Sequence, residues 1–258
     1  MYKLMLLTFL LVASSAFGNA AQKGYKIANE MQLKNDGYKG EDTDMEMILI
    51  DAHGARTTRR MLGKSMEVDS DGDRSLINFV KPADVKGTKM LTWTHQKKDN
   101  DQWLYMPSLK RVKRISSSNK SASFMGSEFS FEDLGSQEVD KYNFKWIRDE
   151  KDAKNGHLHV LERTPKDKGS GYSKMVVWMA KNYNGPVKME YYDRRGELLK
   201  VANFTDYKSH GVDGVAFWRP NRIEMKNIQT QKQSIMTWKA RKLGVKFKKR
   251  AFDKRSLK

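Results

Sequence analysis

The sequence predicts a mainly β protein of the α+β kind, with one helix leading into a single antiparallel sheet. Two observations predict this. After residue 41 the apolar residues recur at every second position, as on a strand with one wet face and one buried face. Glycine, asparagine and aspartate then interrupt the pattern at short intervals, as in a meander of hairpins. A chain of 258 residues can bury a sizeable core, and it shows no internal repeat and no long linker, so one domain is expected.

The first twenty residues read as a signal peptide. Lys3 supplies the positive end, Leu4 to Ala13 a short apolar run, and Ala16, Gly18, Ala20 and Ala21 the small residues of a cleavage site after Gly18 or Ala20. The run is too short for a membrane anchor. The expected division is therefore a signal peptide over 1–20 and one folded domain over 21–258. The sequence contains no cysteine. That excludes an acylated lipoprotein and any disulfide, so stability must come from the sheet and its core.

A helical stretch is expected over Gln22 to Lys34, where Ile27 and Met31 stand four apart with Ala28 beside them, and Gly37 and Gly40 end it. Met45, Met47 and Leu49 begin the alternation. Further strands are expected over Arg56–Val68, Ser75–Val80, Lys89–His95, Gln102–Met106, Arg111–Ile115, Tyr142–Arg148 and His157–Arg163. Beyond these come Tyr172–Ala180, Val187–Tyr192, Leu198–Tyr207, Val215–Lys226 and Gln233–Arg241. Tyr142, Phe144 and Trp146 share one face, and so do Val187, Met189 and Tyr191. Ser116 to Leu134 breaks the rhythm with a serine-rich loop followed by FMGSEFSFEDL, a short helix covering something apolar. The basic terminus, Lys246 to Lys258, is expected to fray.

The chemistry-bearing residues argue against catalysis. None of His53, His95, His157, His159 and His210 sits in a nucleophile-elbow pattern. His157 and His159 face one way on a strand, which is half a metal site or, better, a solvated pair. The DSDGD of residues 69–73 lacks the glycine and glutamate positions of a calcium loop and reads as a turn. KDKGSG (166–171) lacks the ending of a phosphate loop. Neither a metal nor a cofactor is expected. The net charge is +18, and basic residues cluster at Lys110, Arg111, Lys113 and Arg114 and at Lys246, Lys248, Lys249 and Arg250. In an exported protein this charge suits an anionic membrane surface or an acidic partner, with a solvated face as the bland alternative, rather than nucleic acid. Fifteen methionines suit a lining that adapts to varied apolar shapes, or an ordinary two-layer core.

Three stretches carry a resemblance: FVKPADVKGT (79–88), WLYMPSLKRVKRI (103–115) and FMGSEFSFEDL (124–134). VKMEYYD (187–193) with Gly196 and Lys200, and the closing Phe252 to Leu257, extend it. From about Ala21 to its end the chain resembles the LolA-like outer-membrane lipoprotein-sorting proteins. The resemblance implies a strongly curved, half-open antiparallel barrel of about eleven strands, with helices plugging its concave side and an apolar cavity. It also implies a periplasmic location and company with transporters of the resistance-nodulation-division (RND) type.

The expected function is a periplasmic carrier that shields a lipid, a lipoprotein acyl chain or a similar apolar ligand and passes it between membrane components. The alternative is an accessory module of an RND-type transporter with no cargo of its own. The cavity and its lid are expected to use Trp93, Trp103, Tyr105, Trp146, Trp178, Met189 and Tyr191 together with Phe124, Met125, Phe129 and Phe131. Each lid aromatic is either a ligand contact or plain core, and Gly126 lets the lid bend. Lys110, Arg111, Lys113 and Arg114 are expected to dock a partner or anionic lipid.

Overall fold

The computed structural model describes residues 19–69 and 71–258. The signal peptide expected over 1–20 lies outside these residues except for its last two, which already belong to a helix. That helix, α1 (residues 19–33), starts three residues earlier than the spacing predicts. Among the described residues no helix is long and apolar enough to cross a membrane.

Thirteen strands follow: β1 (Gly40–Ile50), β2 (Arg56–Met66), β3 (Arg74–Lys81), β4 (Lys89–Trp93), β5 (Asp101–Met106), β6 (Arg111–Ile115) and β7 (Tyr142–Asp152). Then come β8 (Gly156–Pro165), β9 (Tyr172–Ala180), β10 (Gly185–Asp193), β11 (Leu198–Val212), β12 (Val215–Asn227) and β13 (Gln233–Leu243). They answer, one for one, to the thirteen segments picked out by alternation, and exceed the eleven or so implied by the resemblance. All lie in one antiparallel sheet in the order β6-β5-β4-β3-β2-β1-β13-β12-β11-β10-β9-β8-β7.

Every strand pairs with its sequence neighbour except at one seam. β1 closes onto β13, while β6 and β7 are left as the two edges. Laid flat at about 4.8 Å per strand, the sheet would be roughly 60 Å wide. Phe79 of β3, Met175 of β9 and Met225 of β12 nevertheless share one core cluster, so the sheet curls into a half-open barrel. Bulges bend the strands where the register shifts, at Asp44/Met45 in β1, Arg60/Met61 in β2 and Trp146/Arg148 in β7.

The inner face is plugged twice. Residues 116–141, which join β6 to β7, cross the mouth of the seam. Their core is a tight hairpin in which the Phe124 amide donates to the Phe129 carbonyl at 2.7 Å, turning on the left-handed Met125 and Gly126. The hairpin leads into a 3-10 turn, Phe131–Leu134, the short helix expected there, and the stretch ends in a second such turn, Val139–Lys141. The second plug is α1, seated on β7. A Cβ at Gly24 would stand 2.6 Å from the Trp146 backbone nitrogen, so only glycine lets the helix lie this close.

Two expectations are corrected here. Among the described residues one α-helix, not several, fills the concave side. The terminus does not fray: the turns Lys249–Phe252 and Lys254–Leu257 bury Phe252 and Leu257 completely against Leu91 and Trp103. These turns cover the outer face of β4 and β5, whose apolar residues on both faces are thereby shielded from water.

Candidate functional site: an apolar cavity beneath the helix

Between α1, the hairpin plug and the strands β7 to β12 lies a cavity of about 610 Å³. That is well inside the roughly 300–1,000 Å³ typical of small-molecule sites. Strand alternation builds its floor. Phe144 of β7, Leu161 of β8, Val177 and Met179 of β9, and Met189 and Tyr191 of β10 all point inward. Phe204, Ile223 and Met225 continue the floor on β11 and β12, Met31 lines it from α1, and Phe129 reaches in from the plug.

The mouth is acidic. Asp36, Glu67, Asp73 and Glu138 gather at the C-terminal end of α1, with Arg219 beside them. Glu67 accepts the backbone amides of Gly37 and Lys39, at 2.7 and 2.5 Å, and so fixes the turn after the helix. Asp73 accepts from the Tyr38 hydroxyl at 2.9 Å. Burial pushes the Asp73 carboxyl up to about 7, against the Tyr38 hydrogen bond, and the neighbouring Glu138, Glu67 and Asp36 add to the rise. Burial and the same carboxylates raise Asp36 too.

Deep in the cavity wall sits Arg163, 8% exposed. One of its terminal nitrogens lies 3.4 Å from the Met175 sulfur and 3.2 Å from the Met189 sulfur, and its Nε has no partner. The guanidinium stacks over the Tyr142 ring at 4.7 Å. Asp133, which also lines the cavity, is held by Lys200 at 2.7 Å and by the Ser130 and Tyr172 hydroxyls.

The residues expected at the cavity and its lid divide into four groups. Phe129, Met189 and Tyr191 line the cavity. Phe124, Met125 and Phe131 belong to the plug but pack into the main core, where the Phe124 ring meets Phe79 at 5.7 Å and Phe131 at 5.8 Å. Trp146 lies under α1, with the Lys23 ammonium 3.2 Å from its ring centre.

Trp93, Trp103, Tyr105 and Trp178 do not reach the cavity. On β5 the inward residues are Gln102 and Leu104, so Trp103 and Tyr105 necessarily point outward, where they join Trp93 beneath the C-terminal turns. Trp93 donates its indole N–H to the Phe252 carbonyl at 2.8 Å. Trp178 stands outside between Val177 and Met179, bonded to Glu150 at 3.1 Å under the Lys188 ammonium. Val187 drops out of the ladder at a bulge between Pro186 and Lys188, which leaves Met189 and Tyr191 as the inward residues of β10.

The four basic residues expected to dock a partner lie on or beside the edge strand β6. Lys110 occupies a left-handed turn, and Arg114 pairs with Asp101 at 2.5 Å. Lys113 sits opposite Leu104 and Arg114 opposite Trp103, so the set straddles both faces of the sheet and does not share one rim. Charge on an exposed edge also discourages pairing with another chain.

Among the described residues no three His, Cys, Asp or Glu converge as a metal site. His159 hydrogen-bonds Asp149 at 2.5 Å, and His95 lies between Asp71 and Asp101 at 2.7 and 3.2 Å. The KDKGSG loop holds the plug, since Asp167 pairs with Lys120 and Ser170 donates to Glu132 at 2.8 Å.

A family model described as an uncharacterized protein matches residues 71–258. A solved domain from Vibrio parahaemolyticus, named for outer membrane lipoprotein sorting, is 44% identical, covers 92% of this chain and 99% of its own, and superposes with a TM-score of 0.88. The chain belongs to the family of this outer-membrane lipoprotein-sorting domain. A DUF1329 family protein from Desulfovibrio piger, 29% identical over 93% of this chain and 99% of its own, gives a TM-score of 0.86. A LolA superfamily protein from Nitrosomonas europaea shares the fold at 21% identity over 89% of this chain and 98% of its own, with a TM-score of 0.68. No curated protein matches the chain. In this LolA-like frame, the cavity lies where the curved sheet, the seam-crossing plug and the helix meet.

Proposed function

We propose that the protein is a periplasmic carrier that holds the hydrocarbon part of a lipid, a lipoprotein acyl chain or a similar amphiphile in the cavity beneath α1. The observation that supports this reading is the 610 Å³ hollow, floored by methionine, aromatic and branched aliphatic side chains and open at an acidic mouth. An apolar floor of that extent leaves side chains without packing partners, a cost that a bound chain removes.

Each methylene withdrawn from water contributes roughly 0.8 kcal/mol, so one long acyl chain gains on the order of 10 kcal/mol. A bilayer offers nearly the same. The carrier therefore removes the aqueous barrier, and direction comes from the donor and the acceptor, such as an RND-type transporter or the receiving membrane.

The likeness to a domain named for lipoprotein sorting supports the carrier reading over an enzymatic one. Among the movable walls, α1 is the better gate. The hairpin plug is fastened to the sheet by Gln102 at the Phe131 carbonyl (2.8 Å), Lys200 at the Glu128 carbonyl (2.9 Å) and Asn227 at the Glu128 carboxylate (2.8 Å). The test combines two measurements on the folded protein: mass spectrometry of organic extracts after gentle purification, and titration with the neutral probe N-phenyl-1-naphthylamine. Co-purified lipid and saturable probe binding, abolished by Val177→Trp, are the expected result. A folded protein that carries no lipid and binds no probe would remove the carrier reading.

A further inference from the structure

Arg163 is a charge without a counter-charge. A guanidinium keeps its charge in a protein interior, and a buried one is ordinarily met by carboxylates or carbonyls. This one is more than nine-tenths buried and lines the cavity, yet it finds only two thioether sulfurs and the face of a tyrosine ring, with its Nε unpaired. Thioethers are weak acceptors. Asp133 cannot serve, because Lys200 already neutralises it. The other carboxylates of the cavity lie at the mouth, with Arg219 among them.

We propose that the cargo is an anionic amphiphile, and that its acid group, a carboxylate or a phosphate monoester, inserts into the cavity to pair with Arg163. The proposal rests on the carrier reading and names the ligand class. Arginine matches both acids through two parallel N–H donors, and the pairing strengthens where water is excluded. The hydrocarbon chain then runs along the floor past Met189 and Val177 towards α1. At the mouth the one arginine of the lining, Arg219, stands among Asp36, Glu67, Asp73 and Glu138, so among the described lining residues Arg163 is the cation that no carboxylate offsets.

The experiment compares ligands of equal chain length on the wild-type protein by displacement of N-phenyl-1-naphthylamine: palmitate, 1-palmitoyl lysophosphatidic acid, methyl palmitate and hexadecylamine. The acids are expected to bind about ten- to hundredfold more tightly than the ester, the range for hydrogen bonds to a charged group. The two acids distinguish a carboxylate from a phosphate headgroup. Arg163→Met, checked for folding by circular dichroism, is expected to erase the difference between acid and ester, and Arg163→Lys to keep part of it. Equal binding of palmitate and its methyl ester, tighter binding of hexadecylamine, or a folded Arg163→Met that retains the acid preference overturns the proposal while leaving the carrier reading intact. Failure of the neutral probe itself to bind overturns both. If Arg163→Met does not fold, the comparison of ligands on the wild-type protein decides.

Discussion

Phe129 and Phe131 stand two residues apart in the plug and do different work. Both are buried, but only Phe129 borders the hollow, whereas Phe131 packs on Phe124 in the core. Phe131→Ala should therefore cost about 3–5 kcal/mol of stability, in the range for buried phenylalanine. Phe129→Ala should lose less stability, because part of its surroundings is already empty, and should weaken probe binding; urea melts and probe titrations of the two variants separate the roles. Asp73 makes a different prediction. Its carboxyl is raised to about 7 when folded, against roughly 4 in the unfolded chain. Between those values the folded state binds the extra proton, so the contribution of Asp73 to stability is full at about pH 4 and below, falls as pH rises, and is lost above pH 7. Asp73→Asn should flatten that slope in thermal melts taken from pH 4 to pH 8; an unchanged slope would show that Asp73 is not its source.

At the scale of elements, the helix and the hairpin plug differ in how they are held. Side-chain bonds from β2, β5, β11 and β12 fasten the hairpin. α1 rests on a small cluster of Ile27, Ala28, Met31, Val139 and Leu161 and on the close approach at Gly24, and its polar ties run mostly to residues 138–140, Gln32 accepting the Val139 amide at 2.8 Å and the Tyr25 hydroxyl donating to Asp140 at 3.0 Å, with Lys23 beside Asp149 of β7. Gly24→Val should push the helix off β7, since its new side chain meets main chain that cannot yield. The expected outcome is a loss of about 1–3 kcal/mol, typical of overpacking, with faster amide exchange in α1 and faster probe entry. Slower or unchanged entry would transfer the gate to another wall. The strands were legible because each shows a period of two. Their inward faces were not: Trp103 and Leu104 are equally apolar neighbours, and only the C-terminal turns, about 150 residues further along the chain, make the outer face dry as well.

At the scale of the molecule, a meander joined through β1 and β13 has one seam, and residues 116–141 must cross it. Leaving the barrel half open and inserting a helix and a hairpin makes a hollow with movable walls. The charge of +18 lies mainly outside this hollow, whose mouth is acidic and whose interior holds the unpaired Arg163. Alternation on β8 places Arg163 on the inward side with Leu161, a charge on an apolar face and thus a signal readable from sequence. By itself that signal does not mark a site, because nothing local in the sequence shows which face of β8 is enclosed.

The sequence alone determined the helix, the thirteen strands, the plug and the family, because these rest on local spacing and on contiguous motifs. The tertiary structure alone decided which apolar residues meet empty space and which meet one another. Curvature brings strands far apart in the chain to a common interior, and a void is a property of that whole enclosure.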